Sequence, residues 1–242
     1  MTIGSYAFGT SSIQKIKMPS KINELSDDWL RCTKDLNEMI IPLKSEQFSY
    51  LDKEKKIVVM KSDPTLDYYD SIVFASRDIE KVHIPSNIKF ITSFAFEFCN
   101  HLKHIEFSRK SKLKFIGKYA FSWTLIDKIS IPQSIEVIEN GAFFYCTNLK
   151  RIEIFNDSQI HSINEETFSF SSLNSFSLPF HIKSIKQKAF YLNKKLKNVQ
   201  IPENSELISI GSEAFNGSLI ERIVLPVNLK FIGKIAFFNC LR

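Results

Sequence analysis

The 242-residue sequence predicts an α/β-type solenoid, a chain that winds into a stack of about ten similar rungs. The first observation behind this prediction is a six-residue motif, Ile-x-x-x-Ala-Phe, that recurs along the chain. Its copies begin at Ile3, Ile91, Ile116, Ile138, Ile185, Ile210 and Ile232, with a Thr-Phe version at Ile163. The second observation is their spacing, which alternates between 25 and 22 residues from Ile91 onward. A motif at a nearly fixed period is typical of repeats that contact only their neighbours.

A second constant element follows each motif, and it has the spacing of a short β-strand. It reads apolar-x-x-apolar-x-apolar, often followed by proline, as in Ile126 to Pro132. Its last two apolar residues are two positions apart, so Ile129 and Ile131 face the core while Lys128 and Ser130 face outward. Successive copies run in the same direction. We therefore expect one short parallel strand per rung, ended by a proline that has no N–H to continue the ladder.

The Ile-x-x-x-Ala-Phe half of each rung has the wrong period for a strand. It is predicted to form a short helical or 3₁₀ turn opposite the strand, with Ile and Phe pointing inward and Ala where neighbours crowd. One rung cannot bury its apolar face alone, so stacking buries the Ile, Phe and strand residues of adjacent rungs together. At roughly 1.5–3 kcal/mol per buried large side chain, this burial is the main stabilising contribution.

We predict a single solenoid over residues 1–242. Residues 25–75 interrupt its regular repeat spacing. Regular repeats are expected on both sides of the interruption, at residues 1–24 and 76–242. Within it we expect a degraded rung and then an inserted hairpin, in which two apolar strands, Phe48–Leu51 and Ile57–Met60, flank the polar turn Asp52–Lys56. Two interpretations of the insertion stay open: a repeat that has drifted in sequence, or a dedicated binding element.

The composition and the chain ends limit the classes of protein. A formal net charge of +6 and a pI near 9.0 allow anionic partners without requiring them. The chain enters a repeat directly after Met1, so we predict no signal peptide, and no apolar run reaches the ~18–20 residues that span a bilayer. Neither end carries the polar cap that terminal repeats normally have. We therefore expect a fragment, a truncated copy, or a piece that pairs with something else.

The cysteines are interpreted as part of the core. Cys99, Cys146 and Cys240 each lie eight residues after the first Ile of their motif, so they occupy one column of small buried side chains. The sequence contains no Cys-x-x-Cys pair, the spacing that would suggest a metal site. The sequence also lacks a phosphate-binding loop and any nucleophile paired with a base. We therefore predict no enzymatic activity, no cofactor and no metal.

Basic residues recur in one outward column of the predicted strands, just before the second apolar position. We call this column the basic stripe, and its members are Lys15, Lys81, His104, Lys128, Arg151 and Arg222. Rungs lie ~4.8 Å apart, and like charges at that distance repel one another. One explanation is that the stripe binds an acidic partner, such as a sulfated glycan, an acidic protein or an anionic surface.

The alternative is a solvated face with no binding role. The positions that precede the stripe largely alternate in sign between rungs, which favours a ladder of weak inter-rung ion pairs through Glu80, Lys103, Asp127, Lys150, Asn174, Lys197 and Glu221. In the next outward column His83 and Glu106 are expected to be neighbours, with His104 close by. We interpret these three as adjoining surface residues and not as metal ligands.

The combined consensus of the two elements carries a family resemblance. Residues Val82–Cys99 and Ile129–Cys146 follow it nearly completely, as Ile-x-Ile-Pro-x-x-Ile-x-x-Ile-Gly-x-x-Ala-Phe-x-x-Cys. This pattern resembles the treponemal-type leucine-rich repeat of the BspA-like surface-antigen family, over roughly residues 1–24 and 76–242. The resemblance implies a right-handed leucine-rich repeat coil or horseshoe that binds proteins through its surface.

The function that the resemblance implies is non-enzymatic. It points to a cell-surface, adhesin-like interaction module that binds host or matrix proteins, with acidic and glycosylated proteins among the candidate ligands. The alternative is an intracellular leucine-rich repeat scaffold with a cytosolic partner, because the chain shows neither a signal peptide nor an anchor. Nucleic acid is not expected, since no module that combines aromatic and basic residues occurs. The sequence leaves the oligomeric state open.

Overall fold

The computed structural model describes residues 1–22 and 24–240, and this part of the chain is a β-solenoid of about ten turns with parallel strands. Short strands alternate with turns throughout, and the described residues contain no helix. The predicted helical or 3₁₀ turns are therefore wrong. It follows that these residues offer no helix of the length and apolarity that crossing a membrane would need.

Each regular rung contributes two strands instead of the single strand expected from the sequence. The first comes from the apolar-x-x-apolar-x-apolar element and is three or four residues long. Its middle residue is buried between exposed neighbours, as in Lys128–Ser130. We call these the front strands: β2 (Lys15–Lys17), β4 (Glu38–Ile40), β8 (Lys81–Ile84), β10 (His104–Phe107), β12 (Lys128–Ser130), β14 (Arg151–Glu153), β16 (Ser175–Ser177) and β18 (Asn198–Gln200).

The second strand of each rung is only two residues long and ends at the first Ile of the motif or its equivalent. Neighbouring copies pair in parallel, for example Phe115 with Phe90 and with Val137. These are the side strands: β1 (Thr2–Ile3), β3 (Glu24–Leu25), β9 (Phe90–Ile91), β11 (Phe115–Ile116), β13 (Val137–Ile138), β15 (Ser162–Ile163), β17 (Ser184–Ile185), β19 (Ser209–Ile210) and β20 (Phe231–Ile232).

The front strands pair two by two. β2 pairs with β4, β8 with β10, β12 with β14, and β16 with β18, all in parallel. In the described part of the chain no strand pairing joins β10 to β12 or β14 to β16. The front of the solenoid is therefore a series of two-rung sheets.

Three further strands form a different structure between the first rungs and the regular repeats. These are β5 (Phe48–Tyr50), β6 (Ile57–Met60) and β7 (Ser71–Ala75). β5 pairs antiparallel with β6, and β6 pairs antiparallel with β7. β7 then pairs in parallel with the side strand β9. The hairpin is thereby attached to the side strands as one six-stranded sheet.

The turns that follow the side strands fail to form helices because of their backbone conformation. The residue before the motif Ala lies in the left-handed region, with φ of 62° at Phe94 and 51° at Tyr119. The residue four positions after it does so too, with φ of 60° at Trp123. Left-handed residues interrupt a helix. Alternate amides of the turn instead bond to the next rung, as when the Phe96 N–H donates to the carbonyl of Ala120 at 2.8 Å.

The core of the regular rungs is organised around a column of stacked phenylalanine rings from the motif. Neighbouring ring centroids are 5.0–5.6 Å apart, and the planes of Phe121 and Phe143 differ by only 8°. All but the last of these rings are fully buried. The rings are Phe96, Phe121, Phe143, Phe168, Phe190, Phe215 and Phe237. This stacking fixes the register of the front strands, and hence of their outward side chains.

A second core lies under the first rungs and the hairpin. It includes Trp29, Leu30, Met39 and Phe48, none of which belongs to the motif. β7 separates the two cores, because Ile72 and Ala75 pack into the regular core while Val73 and Phe74 pack into this one.

Candidate functional site

The basic stripe lies on the exposed side of the front strands or in line with them. All six of its residues are exposed to solvent. Strand pairing places Lys81 directly beside His104, and Lys128 directly beside Arg151. Arg222 forms an isolated bridge with Asn198 further along the stack. The register predicted for these pairs is therefore the one in the structure.

Two steps of the ion-pair ladder that we considered as an alternative have no salt bridge. Among the described residues, no salt bridge within 4.0 Å joins Glu80 to Lys103 or Asp127 to Lys150. The contact between these neighbours is through the backbone instead, since the Lys150 N–H donates to the Asp127 carbonyl at 2.9 Å. One carboxylate oxygen of Asp127 is buried without a hydrogen-bond partner. At these two steps the residues that precede the stripe do not form salt bridges with each other.

Lys15 is the exception within the stripe. Its ammonium group forms a salt bridge of 2.9 Å with Glu38 on the paired strand. Both side chains are more than half exposed, so the pair contributes little to stability. Its charge is nevertheless matched locally, which sets Lys15 apart from the residues further along.

Four residues of the stripe line two adjoining depressions on the front of the solenoid, which we together call the groove. Its larger part has a volume of about 1030 Å³ and includes Lys128 and Arg151, together with Arg109 from the loop after β10. Its smaller part includes Lys81 and reaches the hairpin. His83, His104 and Glu106 line both parts. Lys15 and Arg222 do not line this groove.

The hairpin supplies one wall of the groove. Leu51, Asp52 and Glu54 from the β5–β6 turn line its smaller part, opposite Lys81 and His83. Asp52 also shapes this turn, because its carboxylate accepts hydrogen bonds from the backbone N–H groups of Lys56 at 2.9 Å and Ile57 at 3.3 Å. The groove is thus bounded by a repetitive surface on one side and a unique element on the other.

The chemistry of the cysteines differs from that of catalytic thiols. Cys99 and Cys146 are fully buried, as predicted. Burial raises the pKa of Cys99 to about 11 and that of Cys146 to about 12, so both remain protonated thiols at neutral pH. The Cys146 thiol donates a hydrogen bond to the carbonyl of Phe121 at 3.1 Å, which ties one rung to the next.

The groove histidines lie close to one carboxylate. Glu106 lies beside His83 in the paired strands, as expected from the sequence. Within residues 1–22 and 24–240, however, no group of three or more His, Cys, Asp or Glu side chains has an arrangement that could hold a metal ion. Charged and apolar side chains line the groove.

Sequence reasoning missed Arg109, Asp52 and Glu54 as residues of this site. Arg109 lies in a loop and so belongs to no outward column of the repeat. Asp52 and Glu54 lie in the insertion, which the sequence identified as a possible hairpin but could not place relative to the front strands. The only signal for them was the polar turn between two apolar segments.

The repeat pattern is matched by a family model. The model for the BspA type leucine-rich repeat region matches in six copies, over residues 1–103, 35–123, 67–161 and 114–242. These matches together cover the whole chain. The chain belongs to the BspA-type leucine-rich repeat family. Leucine-rich repeat proteins are commonly interaction modules, and their fold is generally a non-catalytic scaffold.

Solved structures share this fold at low sequence identity. A leucine-rich repeat protein from Eubacterium ventriosum is similar with a TM-score of 0.79 and 20% identity, over 98% of this chain and 62% of that one. A leucine rich cell surface protein from Faecalibacterium prausnitzii has a TM-score of 0.61 and 20% identity, over 97% and 51%. The pneumococcal vaccine antigen PcpA has a TM-score of 0.51 and 20% identity, over 96% and 63%.

The chain thus spans between about half and two thirds of the length of these structures. A comparison with curated proteins finds no match. At such identities the structural similarity shows the fold, while the partner has to be argued from the groove.

Proposed function

We propose that this protein is a non-enzymatic interaction module that binds an acidic segment of a partner protein through the groove on its front strands. The observation that carries the proposal is the arrangement of Lys128 and Arg151. These like charges lie side by side on paired strands, which costs stability unless something offsets it. An acidic ligand bound across both strands would offset that cost.

The surroundings of the two residues support the same proposal. The described salt bridges lie elsewhere on the solenoid, and none of them involves Lys128 or Arg151. Arg109 adds a third cation to the same part of the groove. A guanidinium group binds a carboxylate through two hydrogen bonds, so Arg109 and Arg151 are suited to acidic side chains.

We further propose that the protein acts at a cell surface, as an adhesin-like protein that binds host or matrix proteins, glycosylated ones included. This proposal rests on family membership and on similar structures whose names describe a cell surface protein and a vaccine antigen. The alternative is an intracellular scaffold that uses the same groove for a cytosolic partner. Protease treatment of intact source cells discriminates between them, because only a surface protein is cleaved before the cells are lysed.

The division of the chain also enters this proposal. We propose one solenoid over residues 1–242, with regular repeats at 1–24 and 76–242. In this description residues 25–75 hold a degraded rung and an inserted hairpin that serves binding. The hairpin's position at the wall of the groove favours the binding element over a drifted repeat.

The test compares two charge-reversed proteins with the same net charge. One carries Lys128→Glu and Arg151→Glu in the groove, and the control carries Lys230→Glu and Lys234→Glu at exposed positions outside it. The probe is a fluorescein-labelled aspartate-rich peptide, measured by fluorescence anisotropy at low salt, where Coulombic attraction is least screened. We expect the groove variant to bind at least about tenfold more weakly than the wild type, which corresponds to about 1.4 kcal/mol.

The control variant should bind the peptide nearly as the wild type does. Equal weakening in both variants would mean that the peptide senses net charge and not the groove. Unchanged affinity in the groove variant would exclude Lys128 and Arg151 as the site. Arg222, the stripe residue outside the groove, provides a single-site comparison, since Arg222→Glu should change the affinity little.

A further inference from the structure

The hairpin turn presents charges of one sign to the groove and charges of the other sign elsewhere. Asp52 and Glu54 line the groove. Lys56, in contrast, forms a salt bridge of 3.0 Å with Asp78. The ammonium group of Lys55 lies 5.7 Å from the centre of the Tyr50 ring. The turn as a whole has more lysines than carboxylates, yet the side that faces the groove is acidic.

The other end of the groove has the opposite character. Arg109, Lys128 and Arg151 line it, together with Asp127, Glu153 and the Glu106 that lines both ends. Glu153 accepts a hydrogen bond of 3.0 Å from Ser130, and Asp127 has one oxygen buried without a partner. Apart from the shared Glu106, this end has three cations and two carboxylates, whereas the hairpin end has two carboxylates and one cation, Lys81.

The two ends are joined by a partly apolar floor. Ile57 and Val82 contribute to the hairpin end, and Ile105 and Ile129 contribute to the basic end. The distance between the ends follows from the rungs. From β8 to β14 there are three steps between front strands, or about 14 Å at ~4.8 Å per step. An extended chain advances ~3.3 Å per residue, so about four residues span that distance.

We propose that the groove selects a peptide segment with charges of both signs: a basic residue beside the hairpin and acidic residues about four positions away, beside Arg109, Lys128 and Arg151. The proposal rests on the function proposed above, and adds a role for the hairpin. An acidic segment alone satisfies only one end of the groove. A segment with both charges satisfies both, and its orientation along the front strands is thereby determined.

The experiment uses four labelled peptides of equal length and the full chain. One peptide carries only aspartates, one only lysines, one a lysine and two aspartates separated by about four serines, and one the same three charges placed next to each other. We expect the separated mixed peptide to bind at least about fivefold tighter than the aspartate peptide, or about 1 kcal/mol. The adjacent arrangement should lose this advantage, because it cannot reach both ends.

Two variants assign the effect to the hairpin. Glu54→Lys reverses a charge that lines the groove, whereas Glu46→Lys makes the same change at an exposed position before β5 that does not line it. Glu54→Lys should abolish the preference for the mixed peptide and strengthen binding of the aspartate peptide. Glu46→Lys should leave the order of affinities unchanged.

The outcomes separate the two proposals. Equal binding of the mixed and aspartate peptides, or equal effects of Glu54→Lys and Glu46→Lys, would overturn the role of the hairpin and leave the acidic-ligand site intact. Preference for the lysine peptide would overturn the acidic-ligand site itself. Failure of all four peptides to bind would overturn both.

Discussion

The regular rungs and the N-terminal part of the molecule are held together in different ways. In the regular rungs each buried ring packs on the equivalent rings of the neighbouring rungs. The ring centre of Phe121, for example, lies 5.0 Å from that of Phe96 and 5.4 Å from that of Phe143. Beneath the first rungs and the hairpin, repeat residues such as Ile3 pack with residues that occur once, such as Phe48 of the hairpin. There, hydrogen bonds of individual polar side chains join elements that stacked copies of one residue join in the regular rungs.

The junction between the two parts shows this dependence most clearly. Arg77 is buried, and its guanidinium group donates to the carbonyls of Thr33, Ala75 and Ala95, each at 3.1 Å. Glu97 is also buried, and its carboxylate accepts from the N–H of Cys32 at 2.6 Å. Loss of one ring in a stack leaves equivalent rings in place, whereas nothing duplicates Arg77. We therefore expect that loss of one ring lowers the stability of the regular rungs without separating them. Loss of Arg77 is expected to separate the two parts.

The largest effect is expected in the middle of the phenylalanine column. Phe121→Ala removes a fully buried ring and leaves a cavity between two others. The free energy of unfolding should fall by ~3–5 kcal/mol. The measurement is urea unfolding followed by circular dichroism. Phe237→Ala is the matched control, because the Phe237 ring is partly exposed and stacks on one ring of the described residues, that of Phe215. Its free energy of unfolding should fall by less than about half as much.

A change of less than about 1 kcal/mol for Phe121→Ala would contradict the register of the column. A change as large for Phe237→Ala would mean that stability does not depend on burial between two neighbours.

A somewhat smaller but more local effect is expected at the junction. Arg77→Met removes the hydrogen-bond donor to several buried carbonyls. The free energy of unfolding should fall by about 2–4 kcal/mol, mainly that of the N-terminal part. The two tryptophans allow this to be measured, since Trp29 lies in the N-terminal core and Trp123 in the regular rungs. In single-tryptophan proteins, the unfolding transition reported by Trp29 should move to lower urea than that reported by Trp123.

The control for this experiment is the same pair of reporters in the protein with Arg77 intact. If Arg77→Met shifts both transitions equally, the two parts unfold as one unit and the comparison drawn here does not hold. If neither shifts, the buried carbonyls find other donors.

The smallest of the three effects depends on pH. Burial raises the pKa of Glu97 from 4.5 to about 7. Because the folded state favours the protonated carboxyl, its contribution to stability is present below pH 4.5 and is lost as the pH rises through about 7. Glu97→Gln stays neutral, so relative to this variant the wild type should lose up to about 3 kcal/mol across that interval. Urea unfolding at several pH values measures the difference.

An exposed glutamate serves as the reference for the pH experiment. Glu203→Gln lies on the surface of a regular rung, and its difference from the wild type should stay nearly constant over the same interval. A constant difference for Glu97→Gln as well would show that the buried carboxyl is ionised throughout.

Repetition determined which features could be predicted from the sequence. The inward position of Ile129 and the pairing of Lys128 with Arg151 follow from a two-residue period repeated in every rung. The turns were predicted wrongly because their conformation is decided between rungs. An aromatic residue such as Trp123 adopts the left-handed region when alternate amides bond to the neighbouring rung. A single repeat gives no sign of that bonding.

The candidate site divides in the same way. Lys81, His104, Lys128 and Arg151 were found because a column of the repeat carries them. Asp52 and Glu54 have no equivalent in other rungs, and their place at the groove depends on the antiparallel pairing of β5 with β6. Non-repeating elements therefore carry the part of the site that the repeat motif does not reveal.

The two-by-two pairing of the front strands has a consequence for how such a chain changes its length. The first isoleucines of alternate motifs, such as Ile116 and Ile163, are 47 residues apart, and this stretch contains the complete front sheet of β12 and β14. A tandem duplication or loss of that stretch preserves both alternating spacings and every side-strand register. A change by one rung would place two long or two short spacings in succession. A pair of rungs is therefore the smallest stretch whose gain or loss would keep both the alternating spacing and the front sheets intact.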